Sequence, residues 1–124
     1  MPVVNLFELP QTQTCRWDGE GMCLGATAFT ADDMQSDVAG VGMTIVPAGS
    51  SVGSHAHDDE EEIHLIVDGK GFADVDGERR LCEKGDVIHV RPGADHAIMN
   101  HQPRDLVIFS LAVKIRPESA AEAE

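Results

Sequence analysis

Two histidines, His55 and His57, and a glutamate, Glu62, are the residues of this chain whose types and spacing suit metal chemistry. In an extended strand successive side chains face opposite sides, so residues two apart share a face and can offer ring nitrogens to one ion. Ala56 then points the other way. Residues 58–61 form a turn-like acidic stretch. Residues 63–67, Ile-His-Leu-Ile-Val, resume as a strand rich in β-branched side chains, which Asp68 and Gly69 end. Glu62 opens that strand. A charge run such as residues 58–62 is equally what a solvated acidic loop looks like, with the histidines incidental. A second segment, residues 85–100, supplies a strand, a Pro92-Gly93 turn and then His96 at the head of another strand.

Together these segments resemble the cupin family. Its first motif runs glycine, five residues, His-X-His, three or four residues, glutamate, six residues, glycine, and Gly49, His55, His57, Glu62 and Gly69 fill it. Its second runs glycine, five residues, Pro-X-Gly, two residues, histidine, three residues, asparagine, and Gly85, Gly93, His96 and Asn100 fit. Arg91 stands where that pattern has proline, with Pro92 one place later, which puts a cation near the barrel mouth. The resemblance covers residues 49–100 and implies a metal site made of His55, His57, Glu62 and His96. Glu61 is the rival carboxylate; Glu62 is preferred because Gly69 then falls at the family spacing. Three neutral imidazoles and one carboxylate suit a divalent transition metal, Fe, Mn, Ni, Cu, Co or Zn, and suit Ca or Mg poorly. An octahedral ion so held keeps two positions for water, dioxygen or a chelating substrate, and its role would be to polarise oxygen and stabilise a developing enolate or alkoxide.

His64 lies two after Glu62 and is expected to project into the same cavity, where its near-neutral intrinsic pKa suits a catalytic general acid or base. The competing role is to fix Glu62 or a water. Tyrosine, the base in some metal-dependent lyases of the family, is absent. His101, five after His96, is expected to face away from the ion, and Asn100 to serve a structural hydrogen bond. The facing of His89 stays open. Arg91 has two candidate partners, an anionic substrate and an acidic side chain of this chain. The resemblance implies one of two function classes: a metal-dependent enzyme acting on a small oxygenated molecule by dioxygenation, isomerisation or decarboxylation, or a barrel that binds or senses a small ligand without turnover. An intact ligand set favours the enzyme, since a pure binding barrel need not retain it.

Composition narrows the partners. With 9 basic and 22 acidic residues the net charge is −13, which argues against nucleic-acid phosphates and anionic membrane surfaces. Cys15, Cys23 and Cys82 are an odd number without Cys-X-X-Cys spacing, so reduced thiols and a cytoplasmic setting are expected. No basic and apolar leader and no run of about twenty apolar residues is present. At 124 residues the chain is read as one domain, residues 1–116, with a disordered acidic tail at 117–124.

The elements that must position the site read as about ten short strands with little helix: an all-β, antiparallel barrel that the resemblance narrows to a cupin jelly roll. Residues 3–9 read as an edge strand stopped by Pro10, and 22–29 as a second strand. Trp17 is expected to pack. Thr30 stands before Asp32 and Asp33 in a capping-like order, which suits a short helix or an exposed loop. Residues 41–47 alternate bulky and small side chains, Asp76-Gly77 is a two-residue hairpin turn, and 86–90 and 96–101 are strands. In the longest strand, residues 105–115, the odd positions Val107, Phe109, Leu111, Val113 and Ile115 are expected to face the core. The even positions, still partly apolar, are expected to bury against a second subunit, giving a homodimer.

Overall fold

The protein is described by a computed structural model that covers residues 3–116 of the 124. The expected disordered tail at 117–124 lies outside the described residues. Ten strands follow in order: β1 (Thr12–Thr14), β2 (Cys23–Thr30), β3 (Val38–Val46), β4 (Ser51–His55), β5 (Glu60–Asp68), β6 (Lys70–Val75), β7 (Glu78–Glu83), β8 (Val87–Val90), β9 (His96–Met99) and β10 (Leu106–Lys114). They build two antiparallel sheets, one ordered β1-β2-β3-β10-β5-β8 and the other β4-β9-β6-β7. This is the jelly-roll barrel expected from the sequence. Among the described residues no helix is long and apolar enough to cross a membrane.

The sheets face each other across a core of Cys23, Val46, Ile66, Ala73, Cys82, Ile98, Leu106 and Ile108. Such side chains alternate along their strands with outward-facing ones, which is how a two-layer fold buries one face of each sheet. The Asp76-Gly77 turn joins β6 to β7 with φ of 48° and 81°. Two successive positive φ values match the twist of the flanking strands, and Asp-Gly adopts them at little cost. Thr30 caps a single 3-10 turn, Ala31–Asp33, with the Asp33 side chain returning a bond to the Thr30 N–H.

Two expectations are overturned. Residues 3–9 are not a strand: Asn5 accepts a hydrogen bond from the Phe7 N–H and starts a 3-10 turn over Leu6–Glu8. The edge strand is β1, beyond Pro10, pairing with Cys23 to Gly25 of β2. In β10 the even face, not the odd one, meets the central core cluster, although Val107 on the odd face is buried as expected, at 8% exposure. Leu106 and Ile108 are 1% and 2% exposed, and Ile108 sits opposite Thr44 of β3 and Ile66 of β5. Phe109, Leu111 and Val113 are half-buried on the outer surface of the sheet.

Candidate metal centre

β5 carries the centre of the site. Ile66, on its inner face, is core, and the period of two puts His64 and Glu62 on that same face. Glu61 therefore turns outward and pairs with His89 at 2.5 Å on the outer surface, so both side chains face away from Glu62 and His64. From the opposite sheet, His55 at the end of β4 and His96 at the start of β9 are register partners. Their rings approach to 4.0 Å between centroids.

The two sheets meet on Glu62. Its Oε2 lies 3.0 Å from His64 Nε2 and 3.1 Å from His96 Nε2, and its Oε1 lies 3.7 Å from His57 Nε2. The tightest group of donor atoms, all within 4.8 Å of one another, is Glu62, His64 and His96. His55 and His57 stand beside it with ring centroids 5.1 Å apart. Thus His55, His57, Glu62, His96 and His64 form one connected cluster, in which His64 is nearer Glu62 than His57 is.

The second ring nitrogens are engaged in different ways. His55 Nδ1–H donates to the Gly53 carbonyl at 2.8 Å, and His96 Nδ1 faces the Ala94 carbonyl at 3.4 Å. That leaves each Nε2 to the interior, the orientation a metal-binding imidazole takes when a carbonyl fixes its other nitrogen. His64 has both nitrogens occupied: Nε2–H donates to Glu62, and Nδ1 accepts from the Ser110 hydroxyl at 2.7 Å. One donor and one acceptor are what a neutral imidazole has to offer.

Charge follows geometry. Burial works against the Glu62 carboxylate, but hydrogen bonds from His64 and His96 outweigh it and hold the group well below the ordinary carboxylate range. Burial also works against the His96 cation, and the bond to Glu62 overcomes it, so His96 is raised. His55 is lowered, chiefly by burial. The bond that lowers Glu62 is the one that raises His96, so a proton on His96 is held more firmly beside the carboxylate than on a free imidazole. A divalent cation would replace that proton, and the donor chemistry of the cluster fits a transition metal of the kind expected.

A cavity of about 120 Å³ opens on this cluster, bordered by His55, Glu62, His64, His96 and Ser110 and floored by Val52, Ile98 and Ile108. Arg16, Trp17 and Thr44 complete it. Trp17 does pack, and against a site residue: its ring stacks on His55 with centroids 3.6 Å apart and planes 3° from parallel. Trp17 and Asp18 both have positive φ, 48° and 57°, in a strap that crosses β4. Strap and strand exchange three bonds, Gly53 N–H to Arg16 O, Ser51 N–H to Glu20 O, and Glu20 N–H to Ser51 Oγ. No sequence signal assigned Arg16 or Thr44 to the site, because the first arrives on the strap and the second from β3. Ser110 was readable only as a hydroxyl in an apolar strand.

Elsewhere, Asn100 is fully buried and structural, donating to the Val46 and Arg104 carbonyls and accepting from the Gln102 N–H. His101 is exposed, with its ring 6.2 Å from that of Phe72. Arg91 is exposed and forms no ion pair among the described residues. It borders a separate cleft of about 510 Å³ between β7 and β8. All three cysteines are free.

The chain is similar to an uncharacterized protein of Methanocaldococcus jannaschii, 41% identical over 56 residues, 45% of each chain. It is similar to an oxalate-binding protein of Thermotoga maritima, 35% identical over 68 residues, 55% of this chain and 56% of that one. The matched stretches span about half the length of these curated relatives. Among solved structures, a predicted oxalate decarboxylase from Thermotoga maritima superposes with a TM-score of 0.87 at 27% identity, covering 91% of this chain and 99% of that one. Residues 42–113, more than half of the chain and nearly the whole span from β3 to β10, match the family model described as a cupin domain. The protein belongs to the cupin family.

Proposed function

We propose that this cupin holds one divalent transition metal through His55, His57, Glu62 and His96 and acts there on a small oxygenated organic molecule. The observation that supports this most is the approach of imidazoles from both sheets to a single buried carboxylate, Glu62. His64 is left out of the ligand set because the two spaced motifs are filled by His55, His57, Glu62 and His96, although its Nε2 lies as near Glu62 as that of His96 does. Fe, Mn, Ni, Cu, Co and Zn all suit these donors.

When bound, the metal supplies Lewis-acid polarisation of a ligand oxygen. His64, set between Glu62 Oε2 at Nε2 and the Ser110 hydroxyl at Nδ1, is the catalytic general acid or base of the proposal, acting as an acid only from its doubly protonated form and as a base from its neutral one. Val52, Ile98 and Ile108 make one wall of the cavity apolar. The other reading, a module that binds its ligand unchanged, draws on the name of the Thermotoga maritima oxalate-binding relative. Metal analysis of purified protein, followed by oxygen uptake and product analysis with diketones, thiols and catechols, separates the two. Loss of metal in His57→Ala with retention in His64→Ala supports the four-residue set, and the reverse order of loss overturns it.

A cytoplasmic homodimer belongs to the same proposal, with one revision. Because Leu106 and Ile108 of β10 are core, the mating surface is placed on the odd face, where the half-buried Phe109 and Leu111 lie beside Leu65 and Ile63 of β5 and Val41 of β3. Sedimentation of a monomer at micromolar concentration overturns it.

A further inference from the structure

Among the described residues Arg16 is the one arginine or lysine bordering the candidate site's cavity, and none of them pairs it with an anion. The sequence holds 22 acidic residues, yet among the described residues Arg16 forms neither an ion pair nor a side-chain hydrogen bond. Its Nε is shielded from solvent without an acceptor. A guanidinium carries five N–H donors and no acceptor, and leaving a shielded donor unmatched costs its desolvation without return. Such a cost persists where a ligand supplies the missing acceptor.

The room for this arrangement is built. A Cβ on Gly25 would come within 3.1 Å of Arg16 Nη2, so glycine at that point of β2 lets the guanidinium lie against the sheet. The Arg16 carbonyl accepts from the Gly19 and Gly53 N–H groups, which ties the residue's backbone to β4. The Trp17 ring stands 6.0 Å from its guanidinium carbon. Glu62, the only acid lining the cavity, is already matched by His64 and His96. The uncompensated charge facing the cavity is therefore positive.

We infer that Arg16 reads the charge of the ligand, and that the ligand is a small organic carboxylate bound through the planar fork of the guanidinium beside the metal position. Carboxylate and guanidinium match bidentately, which a single ammonium does not reproduce. The cavity, about 120 Å³, is smaller than the roughly 300–1,000 Å³ of pockets for drug-sized ligands, which favours a short acid over a sugar or nucleotide. This rests on the reading of the Glu62 cavity as the ligand site.

Calorimetric titration of metal-loaded and chelator-treated protein with oxalate and malonate, and with malonamide as the uncharged control, tests it. Arg16→Gln is expected to weaken both acids at least tenfold, with malonamide binding within twofold of wild type and metal content unchanged; Arg16→Lys recovers part of the loss. A folded, metal-replete Arg16→Gln protein that binds the acids within twofold of wild type overturns the inference. So does wild-type protein that binds malonamide as tightly as malonate, whatever the variants do. If the protein takes up no metal but the chelated form binds the acids through Arg16, the metal proposal fails and this one stands.

Discussion

Gly53→Ala should unseat the strap that covers the site, although Gly53 itself is not an expected ligand, lying two residues before His55, and has no unusual φ. A Cβ built there would lie 1.8 Å from the Trp17 carbonyl oxygen, where ordinary contact begins at 3.4 Å, so strap and strand must separate by about 1.6 Å. Both are backbone, and neither can swing aside as a side chain would. Such crowding costs about 1–3 kcal/mol. The Gly53 N–H bond to the Arg16 carbonyl, worth about 1 kcal/mol, and the Trp17–His55 stack, worth about 0.5–1.5 kcal/mol, are lost with it. A total of about 4 kcal/mol lowers the melting temperature by roughly 15 °C in a domain of this size. Trp17, the single tryptophan, reports the event directly through a change in emission as its ring leaves His55. Gly40→Ala is the control, because its Cβ would meet nothing nearer than the Phe29 carbonyl at 3.8 Å. A Gly53→Ala protein that melts within 2 °C of wild type with unchanged emission, at the resolution of about 1 °C such melts allow, refutes the reasoning.

His57→Ala is expected to lower both metal content and melting temperature, since an ion at about one hundred times its dissociation constant contributes about 2.7 kcal/mol; unchanged occupancy by elemental analysis counts against the ligand assignment. In chelated protein the Glu62–His96 pair gives its stability in a window. Glu62 is held below its ordinary 4.5, so its contribution is full above that pH and fades as pH falls through the lowered value. His96 is raised above its ordinary 6.5, so its contribution is full below that pH and fades as pH rises through the raised value. Melting curves across pH should therefore place this pair's benefit between about pH 4.5 and 6.5, and Glu62→Gln should flatten the profile; an unchanged profile in that variant would refute the pairing. Asn100→Ala leaves two carbonyls and one N–H without their partner in a fully buried place, and denaturant unfolding should show a loss of about 2–4 kcal/mol.

How far the sequence reaches is shown by β5 and β10. Period-two alternation and two spaced motifs were enough to identify the jelly roll, the Asp76-Gly77 hairpin and the candidate residues His55, His57, Glu62, His64 and His96, because each depends on neighbours along the chain. β10 defeats the same reasoning. Both of its faces are apolar, and the odd one is the more so because the even face carries Ser110. That hydroxyl sits in the interior beside His64, so a polar position at the site made the core face look like the outer, subunit-facing one. Only pairing with β3 and β5 decides between the faces. Residues 3–9 show a milder case, in which a local bond from Asn5 prevails where no strand partner is available. The strap is the part that only tertiary structure supplies: Arg16 and Trp17 reach the cavity because Gly19 and Gly53 let two backbones touch across more than thirty residues of sequence, a contact that leaves no periodic trace.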